Sequence, residues 1–430
     1  MTNQLERERP VRGSGGDASD GQIIKNGPPH ALLPVLRFLS LGFVFLGYAI
    51  GITLLVACFL EFAAWTIWTV HPFTRQAELE NQIASPVYSG AEWAREFWQE
   101  ESLRRKKPTI YVPFRLWSVT DWHSKHINND PSLRGVWRRT LNPATCDPVH
   151  RTTVWAFGGS TMYGTAVPDW ATIASYLSRN LNTGSGGCVA VSNFGVEGYV
   201  TDQELILLGE QLKAGGHPDI VIFYDGVNDS SLAWAPSGSP NPHFVYATVK
   251  SRVEGSLSGR LDFLQKSYAL RLAREIAARL HPASSIAPLI ARQQSNVART
   301  FNNYTANLQL ARALSAAYKF KLYCFWQPIL VYGHKPLVPF EKQMADRDFS
   351  GTTSDSAWFI TMTAVYREAD HYAADHGSLV FLANLFDSVR EPLYVDEAHL
   401  GPRGNELVAG AIANYVHDHP DGSKTADLKQ

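Results

Sequence analysis

Val154-Trp155-Ala156-Phe157-Gly158-Gly159-Ser160-Thr161 is the stretch that decides how this chain folds. Four apolar residues in a row read as a buried strand, and the glycine pair ends it. Ser160 follows at once, so it stands at a strand end on a glycine turn, exposed and free of bulky neighbours. A helical pattern from Trp170 to Leu181 comes next. Alone, the patch is equally a Gly-Ser turn without chemistry. The later patches decide between the two.

A second strand, Cys188 to Phe194, runs into Gly195 and Gly198 and then into a helical pattern from Asp202 to Leu212. A glycine there lets its backbone N–H approach a ligand closely. A third strand, Asp219 to Tyr224, ends in Asp225-Gly226-Val227-Asn228-Asp229. Asn228 offers a side-chain N–H donor, although a capping or turn pair explains Asn228-Asp229 in isolation. All three patches fall at carboxyl ends of successive strands, where open α/β sheets place their sites. Near the C-terminus, Leu379 to Leu382 reads as a strand. Asp396-Glu397-Ala398-His399 then precedes Gly401-Pro402-Arg403-Gly404 and an apolar helix, Glu406 to Val416. A catalytic histidine needs a carboxylate to fix its tautomer and stabilise its charged form. The three-residue spacing can put Asp396 at one ring nitrogen of His399 and leave the other facing Ser160. Together the patches supply a nucleophile, oxyanion donors and an acid–base pair.

On these four patches the chain resembles the SGNH hydrolases, a branch of the GDSL-type esterases and lipases. Ser160 matches the first-block nucleophile, with Gly159 where many members have Asp. Gly198 matches the second-block oxyanion glycine better than Gly195 does. Asn228 matches the third block, and Asp396 and His399 the Asp-x-x-His of the last. The resemblance covers about residues 150–417. It implies a three-layer α/β/α, flavodoxin-like fold with a mainly parallel sheet, and an oxyanion hole made by the Ser160 and Gly198 N–H groups and the Asn228 side chain. It implies no cofactor. The activity implied is ester hydrolysis. Anchored, exported members suggest O-acetyl groups on cell-surface or extracellular glycans. An O-acyltransferase would use the same triad. A catalytically silent envelope assembly or binding module, with envelope protein partners, is the alternative from another class; the intact Ser160, Asn228 and His399 argue against it.

The rest of the chain sets bounds. Its 430 residues are 45% hydrophobic and 12% aromatic, with net charge −1, so no nucleic-acid partner is implied. Residues 1–30 read as a disordered tail. Phe38 to Leu60 is an uncharged apolar run of 23 residues, about 34 Å as a helix, enough to cross a bilayer with tilt. A transmembrane helix is therefore expected within 31–61, with Trp65 and Trp68 in the interfacial belt. Arg7, Arg9, Arg12, Lys25 and Arg37 precede it, against four acids; Glu61, Arg75, Glu78 and Glu80 follow. That bias puts the catalytic domain outside the cytoplasm, periplasmic or extracellular, on a single-pass anchor.

Residues 62–150, rich in tryptophan, read as an ordered lead-in that packs on a catalytic domain spanning 151–420. An insertion at about 230–300 carries an amphipathic helix with Leu261, Leu264, Tyr268, Leu272, Ile276 and Leu280 on one stripe. It follows Asn228 directly and is placed to cover the pocket. Cys324 lies in an apolar strand, Leu322 to Trp326, as a buried thiol. Cys146 and Cys188 each shortly precede neighbouring strands, and an export compartment would permit a disulfide between them. No Cys-x-x-Cys or histidine cluster suggests a metal.

Overall fold

The computed structural model describes residues 32–70, 79–107, 109–131, 135–144, 150–183, 188–234, 249–250, 253–254, 267–280, 287–348 and 354–422. The chain divides into two units, residues 1–66 and 67–430. Helix α1 spans Leu32–Val70, all but its last four residues in the first unit. Its 31-residue segment Arg37–Ile67 contains an 18-residue window of mean hydropathy 2.5, none of it buried, so it is long and apolar enough to cross a membrane. At 1.5 Å per residue that is about 46 Å, longer than the expected Phe38–Leu60 run. The hydroxyls of Thr53 and Thr66 donate to the carbonyls of Ala49 and Phe62, 2.8 and 2.7 Å away. Their polar groups are thus satisfied inside the helix, as an apolar surrounding requires.

The second unit is built on one eight-stranded sheet: β1 (Trp122–His123), β2 (Asn128–Pro131), β3 (Val136–Arg138), β4 (Arg151–Gly158), β5 (Cys188–Asn193), β6 (Ile220–Asp225), β7 (Lys321–Trp326) and β8 (Val380–Phe381). Their order is β1-β2-β3-β5-β4-β6-β7-β8. The last five in that order, β5-β4-β6-β7-β8, are parallel. Counted from β4, they follow the 2-1-3-4-5 order of flavodoxin-like doubly wound sheets. The expected strands beginning near 154, 188, 219, 322 and 379 are β4 to β8, within a few residues. The lead-in supplies something its sequence did not disclose: three antiparallel strands that extend the sheet, with β3 pairing β5 at Arg138 and Asn193. These strands are two to four residues long, too short for a period-2 pattern to show.

The helices of this unit include α2 (Ala94–Arg104), α3 (Ser160–Tyr163), α4 (Ile173–Asn182), α5 (Thr201–Lys213), α6 (Val227–Ser231), α7 (Tyr268–Leu280), α8 (Ala287–Tyr318), α9 (Pro339–Asp348), α10 (Ser354–Asp375) and α11 (Pro402–Asp418). Alternation along the strands decides which side each helix covers. Val154, Ala156, Ile222, Tyr224 and Phe325 point into one core with α4 and α11. Trp155, Phe157, Val221, Phe223 and Trp326 point into the other with α5, α8 and α10. The result is three layers, α/β/α. Central strand β6 is buried along its whole length, which is why it reads as a continuous apolar run rather than an alternating one.

The expected insertion divides differently. Residues 255–266, with Leu261 and Leu264, lie outside the described residues. α7 begins at Tyr268, and Ile276 on its expected packing stripe is 48% exposed. Residue 300 falls in the middle of α8, whose Val297, Phe301, Tyr304, Leu308 and Ala311 form a buried stripe at helical spacing. Cys324 is buried and free, as expected, and Cys58 is free and exposed. Cys188 is disulfide-bonded; its expected partner, Cys146, lies outside the described residues.

Candidate active site

β4 ends at Gly158, and Ser160 opens the short helix α3. The chain folds back at once: the N–H groups of Gly164 and Thr165 both donate to the Ser160 carbonyl at 3.0 Å. Asn193, at the end of β5, ties this turn to the next loop. Its Nδ2 donates to Met162 O at 2.8 Å, and its Oδ1 accepts the Gly195 N–H at 2.9 Å. Gly198 then adopts φ +80°, a conformation that favours glycine. At the end of β6, Asn228 lies on the first turn of α6. Its Nδ2 donates to Tyr199 O at 2.8 Å, next along the chain from Gly198. A side-chain amide carries two N–H groups, so this contact commits one of them.

Asn228 also reaches Gly159. A Cβ at residue 159 would stand 2.2 Å from Asn228 Nδ2. Here the residue before the serine has to be glycine for the amide to sit beside it. Ser160, Gly198 and Asn228 come from three separate strand ends and are brought together by these contacts.

The fourth patch closes the set. His399 Nε2 accepts a hydrogen bond from Ser160 Oγ at 2.8 Å, and His399 Nδ1 faces Asp396 Oδ2 at 2.7 Å. The proton assignment follows from chemistry: the hydroxyl donates to Nε2, and Nδ1–H donates to the carboxylate. Asp396 Oδ1 also accepts the backbone N–H groups of Ala398 and His399, at 3.0 and 2.7 Å. A turn spanning three residues therefore holds the carboxylate from both sides.

Electrostatics follow from these contacts. Burial alone would raise the Asp396 carboxyl, but the His399 ring and the two N–H donors outweigh it and hold the carboxyl below its ordinary value. Burial alone would lower the His399 imidazole; Asp396 first, then Glu397 and Glu197, raise it above its ordinary value. With 20% and 41% of their side chains exposed, both groups keep contact with water.

The lead-in contributes residues that the sequence motifs did not flag. Arg104, at the end of α2, binds both oxygens of Glu101, and also Glu197 at 2.8 and 2.9 Å. Glu197 precedes Gly198 directly and accepts the Thr165 hydroxyl as well. The Trp117 Nε1–H donates to the Glu197 carbonyl at 2.9 Å. Tyr88 donates to the Ala166 carbonyl at 2.8 Å. Val87 lies so close to Gly401 that a Cβ there would meet it at 1.9 Å. Farther along, Glu341 on α9 accepts the N–H groups of Leu393 and Tyr394 just before Asp396, while Lys335 neutralises it at 2.6 Å. Arginine and glutamate in a charged run look solvated in sequence; only the fold shows that Arg104 and Glu341 are buried.

Among the described residues, one group has metal-ligand types in reach of one another: Glu96, Glu100 and His126. Its acceptors are already engaged. Lys125 Nζ lies 2.5 Å from Glu96 Oε2, and Glu100 accepts from Ser124 Oγ and the His126 N–H.

No protein-family model matches the chain, and no curated protein matches it. Among solved structures, the chain is similar to a lipolytic protein of the G-D-S-L family from Veillonella parvula, at 12% identity over 62% of this chain and 98% of that one, TM-score 0.33. It is similar to an acetylxylan esterase from Geobacillus stearothermophilus at 12% identity over 62% and 94%, TM-score 0.31. It is also similar to a lipase/acylhydrolase from Enterococcus faecalis at 13% identity over 64% and 100%, TM-score 0.31. Likenesses of this size leave the functional reading to the geometry of the site.

Proposed function

We propose that the chain is a membrane-anchored serine esterase of the SGNH type. The observation that carries this reading is the unbroken line Ser160 Oγ, His399 Nε2, His399 Nδ1, Asp396 Oδ2, with spacings of 2.8 and 2.7 Å. Ser160 attacks an ester carbonyl while His399 takes its proton, and Asp396 stabilises the imidazolium that forms. The N–H groups of Ser160 and Gly198 and the second Asn228 N–H receive the oxyanion. His399 then protonates the leaving alcohol. Water, activated by the same imidazole, releases the acyl group and restores the serine.

The substrate class follows from the family resemblance and the anchor: O-acetyl esters of cell-surface or extracellular glycans. The α1 segment Arg37–Ile67 crosses the membrane once, and the basic residues before it keep the N-terminus inside. A fluorophosphonate probe tests the chemistry. Full-length protein in detergent should be labelled on Ser160, and acetate should be released from acetylated glycans. Absence of labelling at Ser160 in folded protein would sink the esterase reading. A reporter active only outside the cytoplasm, fused after residue 75, should be active; activity of a cytoplasmic reporter there would invert the topology.

A further inference from the structure

Behind the turn that carries Asn228 lie three carboxyls: Glu204 on α5, Asp225 at the end of β6 and Asp229 on α6, exposed by 0%, 2% and 2%. Among the described residues, no lysine, arginine or histidine forms an ion pair with any of the three. Asp229 has the donors of an ionised carboxylate, since its Oδ1 accepts both the N–H and the hydroxyl of Thr201. The other two do not. Asp225 Oδ2 receives only the Tyr304 hydroxyl, at 3.4 Å. Asp225 Oδ1 and both Glu204 oxygens receive no N–H or hydroxyl donor, although all are buried. The Glu204 and Asp225 carboxyls are in hydrogen-bond contact with each other.

Carboxylate oxygens only accept; two of them can be hydrogen-bonded only when one carries a proton. We propose that Glu204 stays protonated and donates its O–H to Asp225, and that this shared proton is a positioning device for the Asn228 amide. Three contacts then lace residues 199–204 to residues 225–229 in register: Tyr199 O to Asn228 Nδ2, Thr201 to Asp229, and Glu204 to Asp225. Asn228 lies between the two aspartates. Removing the Glu204 proton turns the third contact from attraction into repulsion at the foot of that turn.

The surroundings favour the protonated form. Burial, then Asp225 and Asp229, push the Glu204 carboxyl far up. Burial raises Asp229 to about 7, with the Thr201 donors opposing and Asp202 adding. From α8, Tyr304 faces the trio with its phenol pushed up, chiefly by burial, and stays neutral. Tyr366 on α10 and Cys324 on β7 are raised by burial and by Asp229 and Asp225 respectively. Tyr199 feels Glu204, but its phenol is engaged by Arg115, which pairs with Glu210. Arg312 acts on Cys324.

The role of Asn228 rests on the esterase reading; the shared proton does not, and the test separates them. Glu204 keeps its proton in the folded state well above the ordinary glutamate value of about 4.3. Between that value and the raised one, the unfolded chain binds fewer protons, so stability falls as pH rises. Glu204→Gln supplies an N–H donor that does not titrate. We would melt full-length wild type and variant in detergent from about pH 5 to about pH 9, following tryptophan fluorescence, and measure ester turnover in parallel. The variant's Tm should approach or lie below wild type at the acid end and gain on it by several degrees at the alkaline end. Its turnover should persist where that of wild type declines. A Tm difference that does not change with pH overturns the proposal. If Glu204→Gln does not fold, Asp225→Asn, whose amide can donate to Glu204, must show the same trend; if neither folds, proton sharing is not the function of the pair and the proposal falls. Failure of Ser160 labelling in wild type would sink the esterase reading and leave the melting result standing.

Discussion

Residues 150–417 and the lead-in, residues 79–144, reach the same loops by different means. In the parallel core, Ser160, Gly198, Asn228 and His399 stand at strand ends or on turns, placed by backbone geometry and short neutral contacts. In the lead-in, charged side chains make the approach. Arg104 grips Glu197 beside Gly198, and Arg138 grips Asp169 at 2.8 Å and the Val167 carbonyl at 2.9 Å, at the entry to α4. Both arginines are buried. The core therefore holds the proposed triad, while the lead-in fixes the loop of Glu197 and Gly198 from outside. A buried ion pair costs more to break than it contributes on forming, because the surviving charge is left without a partner. This asymmetry makes the two regions separable by mutation.

The largest effect belongs to the core. Ser160→Ala and His399→Ala should each lower kcat by on the order of 10⁶-fold, and Asp396→Asn by about 10⁴-fold, with Tm unchanged within a few degrees. The Ser160→Ala, His399→Ala double variant should be little worse than either single, because the residues act as one unit. Additive losses would show that the hydrogen-bonded line from Ser160 to Asp396 is not the working assembly.

Next comes the contrast between the two buried arginines. Arg104→Leu and Arg138→Leu should each destabilise the protein by about 3–5 kcal/mol. Only Arg104→Leu should also lower kcat in the folded protein, by roughly 10–100-fold, since its partner Glu197 adjoins Gly198, the proposed oxyanion donor. Urea unfolding and turnover below the transition separate the two effects. Equal kcat losses for both would mean that the lead-in acts through overall stability alone.

The pH profile sharpens the comparison from the core side. His399 must be neutral to accept the serine proton, and Asp396 holds its pKa above the ordinary value of about 6.5. The acid limb of kcat/KM should therefore fall above that value and move down in Asp396→Asn. A limb at or below the ordinary value would mean that the carboxylate does not stabilise the imidazolium.

The core was legible in sequence because each of its signals is local. An apolar run ended by Gly158-Gly159, or by Gly226-Val227-Asn228, announces a strand end and its loop within ten residues. The limits of β4 to β7 came out within two or three residues for that reason. Three things were hidden. Strands β1 to β3 are too short to show a period. The insertion boundary expected near residue 300 falls inside α8, because a helix covering the sheet and one covering a pocket share the same spacing. The carboxyls of Glu204 and Asp225 look like ordinary surface acids, since burial of a charge is decided by elements far apart in the chain.

The smallest effect gives the control. Asp130 on β2 and Arg139, just past β3, form a bidentate pair at 2.7 and 2.8 Å, with 39% and 38% of their side chains exposed. It is bidentate where Arg138, one residue earlier, makes a single contact to Asp169, yet it is part-exposed where Arg138 is buried. Arg139 holds the Asp130 carboxyl below its ordinary value, but solvent screening discounts that interaction. Arg139→Ala should therefore cost less than about 1 kcal/mol and leave kcat unchanged. Urea unfolding with added salt checks the cause: the small difference from wild type should shrink as the pair is screened. A loss as large as that of Arg138→Leu, unaffected by salt, would show that the hairpin itself, rather than its buried anchor, ties the lead-in to the sheet.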